Sequence, residues 1–251
     1  MRIAVAGASG LIGEQLCRRG EAAGHEVVRM SRRHGVDLLD PEAVATAMAG
    51  VDAVVDVSRP DSADRASAPE FFTAVARNLG AAGWAAGVGR SVVLSIVGID
   101  RSQDFDWYVA TLAHEEATRE HAPGAVALRA TQFHEFPGQA LARALDGREP
   151  AGVVEIMDVP TQPVESAEVA RALLEAATEP EARDRQLAGP KVERLPDLVR
   201  DLAAHDGLDV IVRPGPAAAS MAAGSMLPEP GVPVAGVDWH TWLRERRTEG
   251  R

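Results

Sequence analysis

Apolar and polar positions along the chain predict strands and helices in turn. Short apolar runs, typical of buried strands, occupy residues 3–6, 26–30, 53–57, 91–97 and 125–129. Stretches with helical periodicity lie between them, among them residues 69–86 and 106–121. Strands separated by helices need crossover connections, which favour parallel pairing with helices on both faces. The pattern therefore predicts an α/β fold built on a doubly wound, mostly parallel sheet.

Beyond about residue 133, strands and helices no longer alternate regularly. Further helices are predicted at residues 136–145, 166–177 and 195–204, with a short apolar stretch at 153–157. We therefore expect a core of residues 1–150 and a smaller C-terminal lobe of residues 151–251, packed together as one globular unit.

Two features stand out near the C-terminus. Residues 214–236 are rich in Gly, Pro, Ala and Met without periodicity, which predicts either a lid-like loop with at most one short helix or a poorly ordered surface connection. Trp239, Trp242 and Leu243 are three and four residues apart, so a terminal helix is expected to dock by that face.

Composition and charge narrow the classes of partner. The 251 residues carry a formal net charge of −11, which disfavours a phosphate backbone or an anionic membrane surface. No apolar run approaches the ~20 residues of a membrane span, and no secretory signal is visible. We expect a cytoplasmic protein that binds neither nucleic acid nor membrane, with Cys17 buried in the first helix.

A glycine-rich turn follows the first strand and opens the first helix. Its residues are Gly7, Ala8, Ser9, Gly10, Leu11, Ile12 and Gly13. Such a turn lets the backbone approach a pyrophosphate, the helix N-terminus behind it favours the negative charge, and the last glycine lets helix and strand pack closely. The context predicts a dinucleotide-binding site in a Rossmann-type sheet.

The end of the second strand indicates which dinucleotide binds. An acid there would accept the ribose 2′-hydroxyl of NAD, but the sequence has Ser31, Arg32 and Arg33. A guanidinium suits a 2′-phosphate, so we predict NADP(H). Asp37 and Leu38 are expected to flank the adenine, and Ser58 is expected to contact the cofactor after the third strand.

Several segments resemble the atypical short-chain dehydrogenases/reductases, in particular their NmrA-like NAD(P)-binding branch. Besides the glycine turn they are residues 36–38, 50–55, 94–100 and 128–136. The likeness spans residues 1 to about 190 and is thin in the C-terminal quarter. It implies a Rossmann core that binds NADPH, a small C-terminal substrate lobe with its lid, and reduction of a carbonyl or related group.

The chain departs from that family at the proton relay. Carbonyl-reducing relatives carry a Tyr-x-x-x-Lys pair on the helix that here spans residues 106–121. Register with the family places Trp107 at the tyrosine and Thr111 at the lysine. Tyr108 is the only tyrosine and Lys191 the only lysine, so the pair cannot form on this helix.

Other residues are candidates for parts of that role. Ser95 ends a strand at the ligand-binding edge, where we expect a cofactor contact more than catalysis. Tyr108 faces either the pocket or a neighbouring helix, and Thr111 replaces the lysine only as a hydrogen-bond partner of the ribose. His114 is expected at the surface. His134 is either a proton donor or a structural residue.

The prediction for the whole is an NADPH-dependent reductase of a bulky, aromatic or polyketide-like ketone, with the proton supplied by substrate or water. The expected substrate pocket consists of Trp107, Tyr108, Phe133, His134, Phe136 and Met157, with Phe133 also near the cofactor. One alternative is a catalytically silent redox sensor that binds NADP(H), and another is a non-redox isomerase or cyclase. No histidine and cysteine spacing suggests a metal site, and no G-x-S-x-G motif suggests a hydrolase.

Overall fold

The computed structural model describes residues 1–60, 67–147, 149 and 151–246. The strands are β1 (Arg2–Ala6), β2 (Glu26–Met30), β3 (Ala53–Asp56), β4 (Arg90–Ile96), β5 (Ala125–Ala130), β6 (Ala151–Met157), β7 (Pro160–Thr161), β8 (Arg185–Leu187), β9 (Glu193–Arg194) and β10 (Asp209–Gly215). The α-helices are α1 (Leu11–Ala22), α2 (Pro41–Ala47), α3 (Ser67–Ala86), α4 (Asp106–His121), α5 (Phe136–Leu145), α6 (Ser166–Thr178), α7 (Leu195–Asp206), α8 (Ala219–Ala222) and α9 (Trp239–Glu245).

The main sheet has the doubly wound order. In the described part of the chain it contains six strands, β2-β1-β3-β4-β5-β8. Strands β1 to β5 pair in parallel with their neighbours. The strand order reverses between β1 and β3, and in open α/β sheets ligands bind outside the carboxyl ends of strands at such a reversal. The predicted Rossmann-type α/β fold is confirmed.

The chain divides into two compact units. Unit 1 comprises residues 1–130 and 167–186, and unit 2 comprises residues 131–166 and 187–251. The predicted boundary lay near residue 150. It differs because the chain leaves the sheet directly after β5 and then returns through α6 and β8, which a boundary drawn from sequence order alone does not capture.

Unit 1 is built on the apolar faces of its sheet and helices. One cluster joins Ala4 and Ala6 of β1 to Val44 of α2 and to Val75 and Leu79 of α3. Asp40 caps α2 by accepting hydrogen bonds from the amides of Glu42 and Ala43, as the Asp-Pro sequence predicts. Cys17 is buried, as expected, and burial raises the pKa of its thiol to about 11.

Unit 2 has its own small sheets and core. Strands β6 and β10 pair in parallel, and β7 pairs with β9 in antiparallel fashion. Leu198 and Leu202 of α7 pack with Trp239 and Leu243 of α9, which confirms the docked terminal helix. Residues 214–236 contain the one short helix α8, with Met221 and Met226 buried.

Candidate functional site

The glycine turn has the tight geometry that dinucleotide binding requires. Gly7 has φ +84°, and a Cβ there would lie 2.8 Å from the backbone of Ser58. A Cβ on Gly13 would lie 2.8 Å from the Cα of Ala8. The amide of Gly7 donates to the carbonyl of Met30, and Gly10 precedes the first turn of α1. No side chain fits at positions 7 and 13, because backbone segments approach each other closely there. A tight turn at a helix N-terminus is the arrangement that phosphate binding requires.

The two arginines that follow β2 lie in a one-turn 3-10 helix, Arg32–His34. Both are exposed, and Arg33 lies 3.8 Å from the carboxylate of Glu14 on α1. Ser31 is buried, and its Oγ lies 2.8 Å from Nδ1 of His34. The structure thus places cationic side chains at the end of β2, where the resemblance puts the adenosine ribose.

Asp37 and Leu38 lie on the loop that leads to α2. The carboxylate of Asp37 accepts a hydrogen bond from the amide of Leu39, which forms a local turn. Leu38 is buried, and its carbonyl accepts a hydrogen bond from the side chain of Asn78. The loop is therefore fixed to α3 at this point.

The helix that lacks the Tyr-Lys pair presents buried side chains at the corresponding positions. Tyr108 is 3% exposed and meets Phe105 edge to face, with ring centroids 5.9 Å apart. Trp107 is half-buried and packs on Phe72 of α3. The Thr111 hydroxyl donates to the carbonyl of Trp107 at 2.8 Å, so its proton is already engaged within the helix.

His114 is buried, and the expectation of a surface position is wrong. It is 2% exposed, and its Nε2 lies 2.8 Å from Oδ2 of Asp56 at the end of β3. Its ring stacks on Phe72 with centroids 4.3 Å apart. Burial by itself raises the pKa of Asp56, but His114 and Ser58 outweigh it and hold that pKa below its usual value. An acid within the apolar run 53–57 was the sequence signal that a buried partner must exist.

Ser95 lies beside a second charged cluster of unit 1. Glu115 of α4 is 2% exposed and accepts hydrogen bonds from Arg129 and Arg119. Although burial raises the pKa of Glu115, the hydrogen bonds from Arg129 and Arg119 outweigh it and lower that pKa. Ser95 is buried beside this cluster, and its hydroxyl has no hydrogen-bond partner among the described residues. The sequence did not reveal the charged cluster itself.

The predicted pocket residues of unit 2 lie around the start of α5 and the end of β6. Phe133 is half-buried and forms a bridge to Val164. Phe136 is the first residue of α5, and the guanidinium of Arg143 lies 5.8 Å from its ring centroid. Met157 ends β6 opposite Gly215. That these side chains line one pocket with Trp107 and Tyr108 stays a prediction.

His134 is completely buried in unit 2. Its ring meets Trp239 and Trp242 edge to face at 6.0 and 5.2 Å, and its Nε2 lies 3.1 Å from the carbonyl oxygen of Pro163. Burial lowers the pKa of His134 to about 4, with partial compensation by Pro163. A neutral imidazole that donates to Pro163 is a packing element, which favours the structural alternative for this residue.

Comparison with known proteins supports the same nucleotide-binding region. Residues 3–90 match the model of the NAD dependent epimerase/dehydratase family. The match covers β1, the glycine turn, α1, β2 and β3, and reaches the start of β4. An NAD(P)-type dinucleotide is the cofactor class that goes with this region.

A curated relative matches over a shorter segment. The chain is 44% identical over 66 residues to the 2-alkyl-3-oxoalkanoate reductase of Stenotrophomonas maltophilia (strain K279a). The match covers 22% of this chain and 20% of the relative, so the chain spans about a fifth of that protein's length.

Solved structures share the fold over most of the chain. The NADPH-dependent quinone oxidoreductase QOR2 of Escherichia coli, complexed with NADPH, has a TM-score of 0.72 at 17% identity and covers 97% of this chain and 99% of its own. The triphenylmethane reductase of Citrobacter sp., complexed with NADP(H), has a TM-score of 0.65 at 21% identity, with coverages of 86% and 79%. At these identities the likeness shows the fold alone.

The described residues offer neither a membrane span nor a metal site. None of the helices found there is long and apolar enough to cross a membrane. The same residues contain no group of three or more His, Cys, Asp or Glu side chains that could hold a metal ion.

Proposed function

We propose that this protein is an NADPH-dependent ketone reductase of the NmrA-like branch of atypical short-chain dehydrogenases/reductases. The observation that carries the proposal is the glycine turn, where Gly7 and Gly13 leave no room for a side chain beside the start of α1. Such a turn at the reversal of strand order is a ready site for a pyrophosphate. When bound, the nicotinamide supplies a hydride.

The residues proposed to hold the dinucleotide follow β1, β2 and β3. Residues 7–13 receive the pyrophosphate, Ser31 and Arg32 receive the ribose 2′-phosphate, and Ser58 lines the site beside Gly7. Arg33 is the second cation at the 2′-phosphate, but its side chain lies 3.8 Å from Glu14. We assign the preference for NADPH over NADH to these two arginines, with Arg32 as the first to be tested.

In this proposal the chain aligns the cofactor and the ketone for hydride transfer and provides no Tyr-Lys proton relay. The Thr111 hydroxyl donates to its own helix, and Lys191 forms an ion pair with Glu193. We propose that substrate or water supplies the proton to the ketone oxygen, with Tyr108 as the remaining side-chain candidate. Holding reactants in an aligned pose can itself lower a barrier by several kcal/mol, on the order of 7–11 kcal/mol in the best cases.

The substrate class follows from apolar side chains and from the curated relative. Trp107, Phe133, Phe136 and Met157 suit a bulky, aromatic or polyketide-like ketone. The relative's name describes a reductase of 2-alkyl-3-oxoalkanoates, so 3-oxo acids belong in the same panel. The experiment follows NADPH absorbance with both kinds of ketone and identifies the alcohol formed.

A catalytically silent NADP(H)-binding sensor is the second candidate, because the Tyr-Lys pair is absent. Stoichiometric NADPH consumption with formation of an alcohol would establish the reductase. Tight NADPH binding without consumption across the panel would favour the sensor.

A further inference from the structure

Asp56 brings a carboxylate into the interior of unit 1 at the end of β3. All four residues of β3 are buried, and Asp56 is 3% exposed. Burying an ionised carboxylate is costly unless hydrogen bonds replace its water. One oxygen of Asp56 accepts the amide N–H of Ser58 at 2.9 Å, and the other lies 2.8 Å from Nε2 of His114. An ionised carboxylate only accepts, so His114 is the donor.

Two contacts hold His114 in place, one through its ring and one through its backbone carbonyl. Its ring is stacked on Phe72 with an interplanar angle of 15°, and the Thr118 hydroxyl donates to its backbone carbonyl. The side chain is 2% exposed, so the imidazole is shielded from bulk solvent. His114 therefore holds the Asp56 carboxylate in one orientation.

Ser58 connects the Asp56 carboxylate to the glycine turn. The Cα and amide nitrogen of Ser58 would each lie 2.8 Å from a Cβ on Gly7. Gly7 is also tied to the end of β2 by its hydrogen bond to Met30. The turn thus rests on the backbone of Ser58, and Ser58 is held by Asp56.

We propose that Asp56 and His114 are positioning residues of the dinucleotide site, which hold Ser58 against Gly7 so that the glycine turn keeps the shape that receives the pyrophosphate. The inference rests on the proposed dinucleotide binding, and neither residue touches the ligand itself. It assigns a role to a buried pair that lies outside the missing Tyr-Lys relay.

A small cavity beside Asp56 explains why the orientation of its carboxylate depends on His114. A cavity of about 10 Å³, room for about one water molecule, is lined by Asp56, Ser91 and Thr118 together with apolar side chains. Without the His114 donor, the carboxylate would turn toward this space, where the hydroxyl of Ser91, which has no hydrogen-bond partner among the described residues, can replace the lost bond. That movement would release the Ser58 amide and let the turn shift.

The test compares His114→Leu, which removes the donor, with His114→Gln, which keeps a side-chain N–H. NADPH affinity is measured by calorimetric titration, and hydrogen exchange of the Ser58 amide by NMR. We expect His114→Leu to weaken NADPH binding about tenfold or more and to accelerate exchange at Ser58, since a buried acceptor loses its partner. His114→Gln should restore the affinity to within about threefold, less than the factor that one net hydrogen bond represents.

Asp184→Asn is the matched control. Asp184 also accepts one backbone amide, that of Ala127, and one cationic side chain, that of Arg119. It lies beside β5, three strand spacings from β1, roughly 14 Å away. This variant should leave NADPH affinity and Ser58 exchange unchanged even if it lowers the free energy of unfolding.

Three results would overturn the inference. The first is NADPH affinity within twofold of wild type in His114→Leu. The second is an equal loss of affinity in His114→Leu and Asp184→Asn. If His114→Leu does not fold, the test passes to Asp56→Ala, which has no acceptor for the Ser58 amide, and to His114→Gln. Unchanged Ser58 exchange with full NADPH affinity in Asp56→Ala is the third result. A wild-type protein that does not bind NADPH would instead refute the proposed function.

Discussion

Gly13 packs so closely on Gly7 that a methyl group on residue 13 would lie 2.9 Å from the carbonyl carbon of Gly7. Backbone atoms of a tight turn cannot yield cheaply, so this contact sets the identity of residue 13. It also ties the start of α1 to the end of β1, and the turn between them is the central element of the proposed dinucleotide site.

The variant Gly13→Ala should destabilise the protein by about 1–3 kcal/mol, the usual cost of overpacking, and should abolish measurable NADPH binding. Gly89→Ala is the control, because a Cβ there would meet nothing closer than the carbonyl oxygen of Asp52 at 3.9 Å. Urea unfolding and a NADPH titration measure both effects. Normal affinity in Gly13→Ala would refute the role of the turn.

The variant Arg32→Ala should lose about ten- to a hundredfold in affinity for NADPH and little for NADH, since a bidentate phosphate contact is removed. Arg33→Ala is the matched variant, since Arg33 lies near Glu14. Titration of each variant with NADPH and with NADH measures how strongly it prefers NADPH. Loss of discrimination in Arg33→Ala alone would move the phosphate contact to Arg33.

The variant Arg129→Gln tests the buried charge cluster of unit 1. It removes two hydrogen bonds from Glu115, both 3.0 Å long, and leaves Arg119 bound. We expect the free energy of unfolding to fall by about 2–3 kcal/mol. This is below the range for fully breaking a buried pair, because Arg119 remains bound to Glu115. Arg18→Gln, which breaks an exposed 3.9 Å pair with Glu14, should cost less than about 0.5 kcal/mol. If urea unfolding shows that both variants lose the same free energy of unfolding, the distinction between the buried cluster and the exposed pair is wrong.

The low pKa of His134 predicts a pH dependence of stability. The folded-state pKa of about 4 lies below the ordinary value of 6.5, so the unfolded chain binds the proton first as the pH falls. The stability contribution is complete above pH 6.5 and is lost toward pH 4. Compared with His134→Gln, the wild type should lose about 2 kcal/mol more between pH 7.5 and pH 5. Identical pH profiles of urea unfolding would show that His134 is solvated.

The sequence predicted the strands β1 to β5 because each contains a short apolar run next to a helix start or stop signal, although β2 also carries Glu26 and Arg29. It missed β8, since Arg185–Leu187 offers only one apolar residue. It also missed β10, whose apolar run of three residues, Val210 to Val212, is short and is followed by Arg213 and Pro214.

The glycine turn and the arginines after β2 could be predicted because their chemistry is local in sequence. The Asp56–His114 pair could not, since its members are 58 residues apart and meet only when α4 packs beside β3. Periodicity shows that an acid is buried, but it does not show which side chain neutralises it. The same holds for Glu115, whose partners lie on α4 and β5.

Hydride transfer itself is the most direct test of the proposed reductase. NADPH carrying deuterium at C4, prepared separately for each face of the ring, is incubated with the protein and the ketone panel. We predict that one of the two labelled cofactors places deuterium on the carbinol carbon of an alcohol product, with one NADPH consumed per alcohol. Tight NADPH binding with no deuterium in any product from either labelled cofactor would contradict the account.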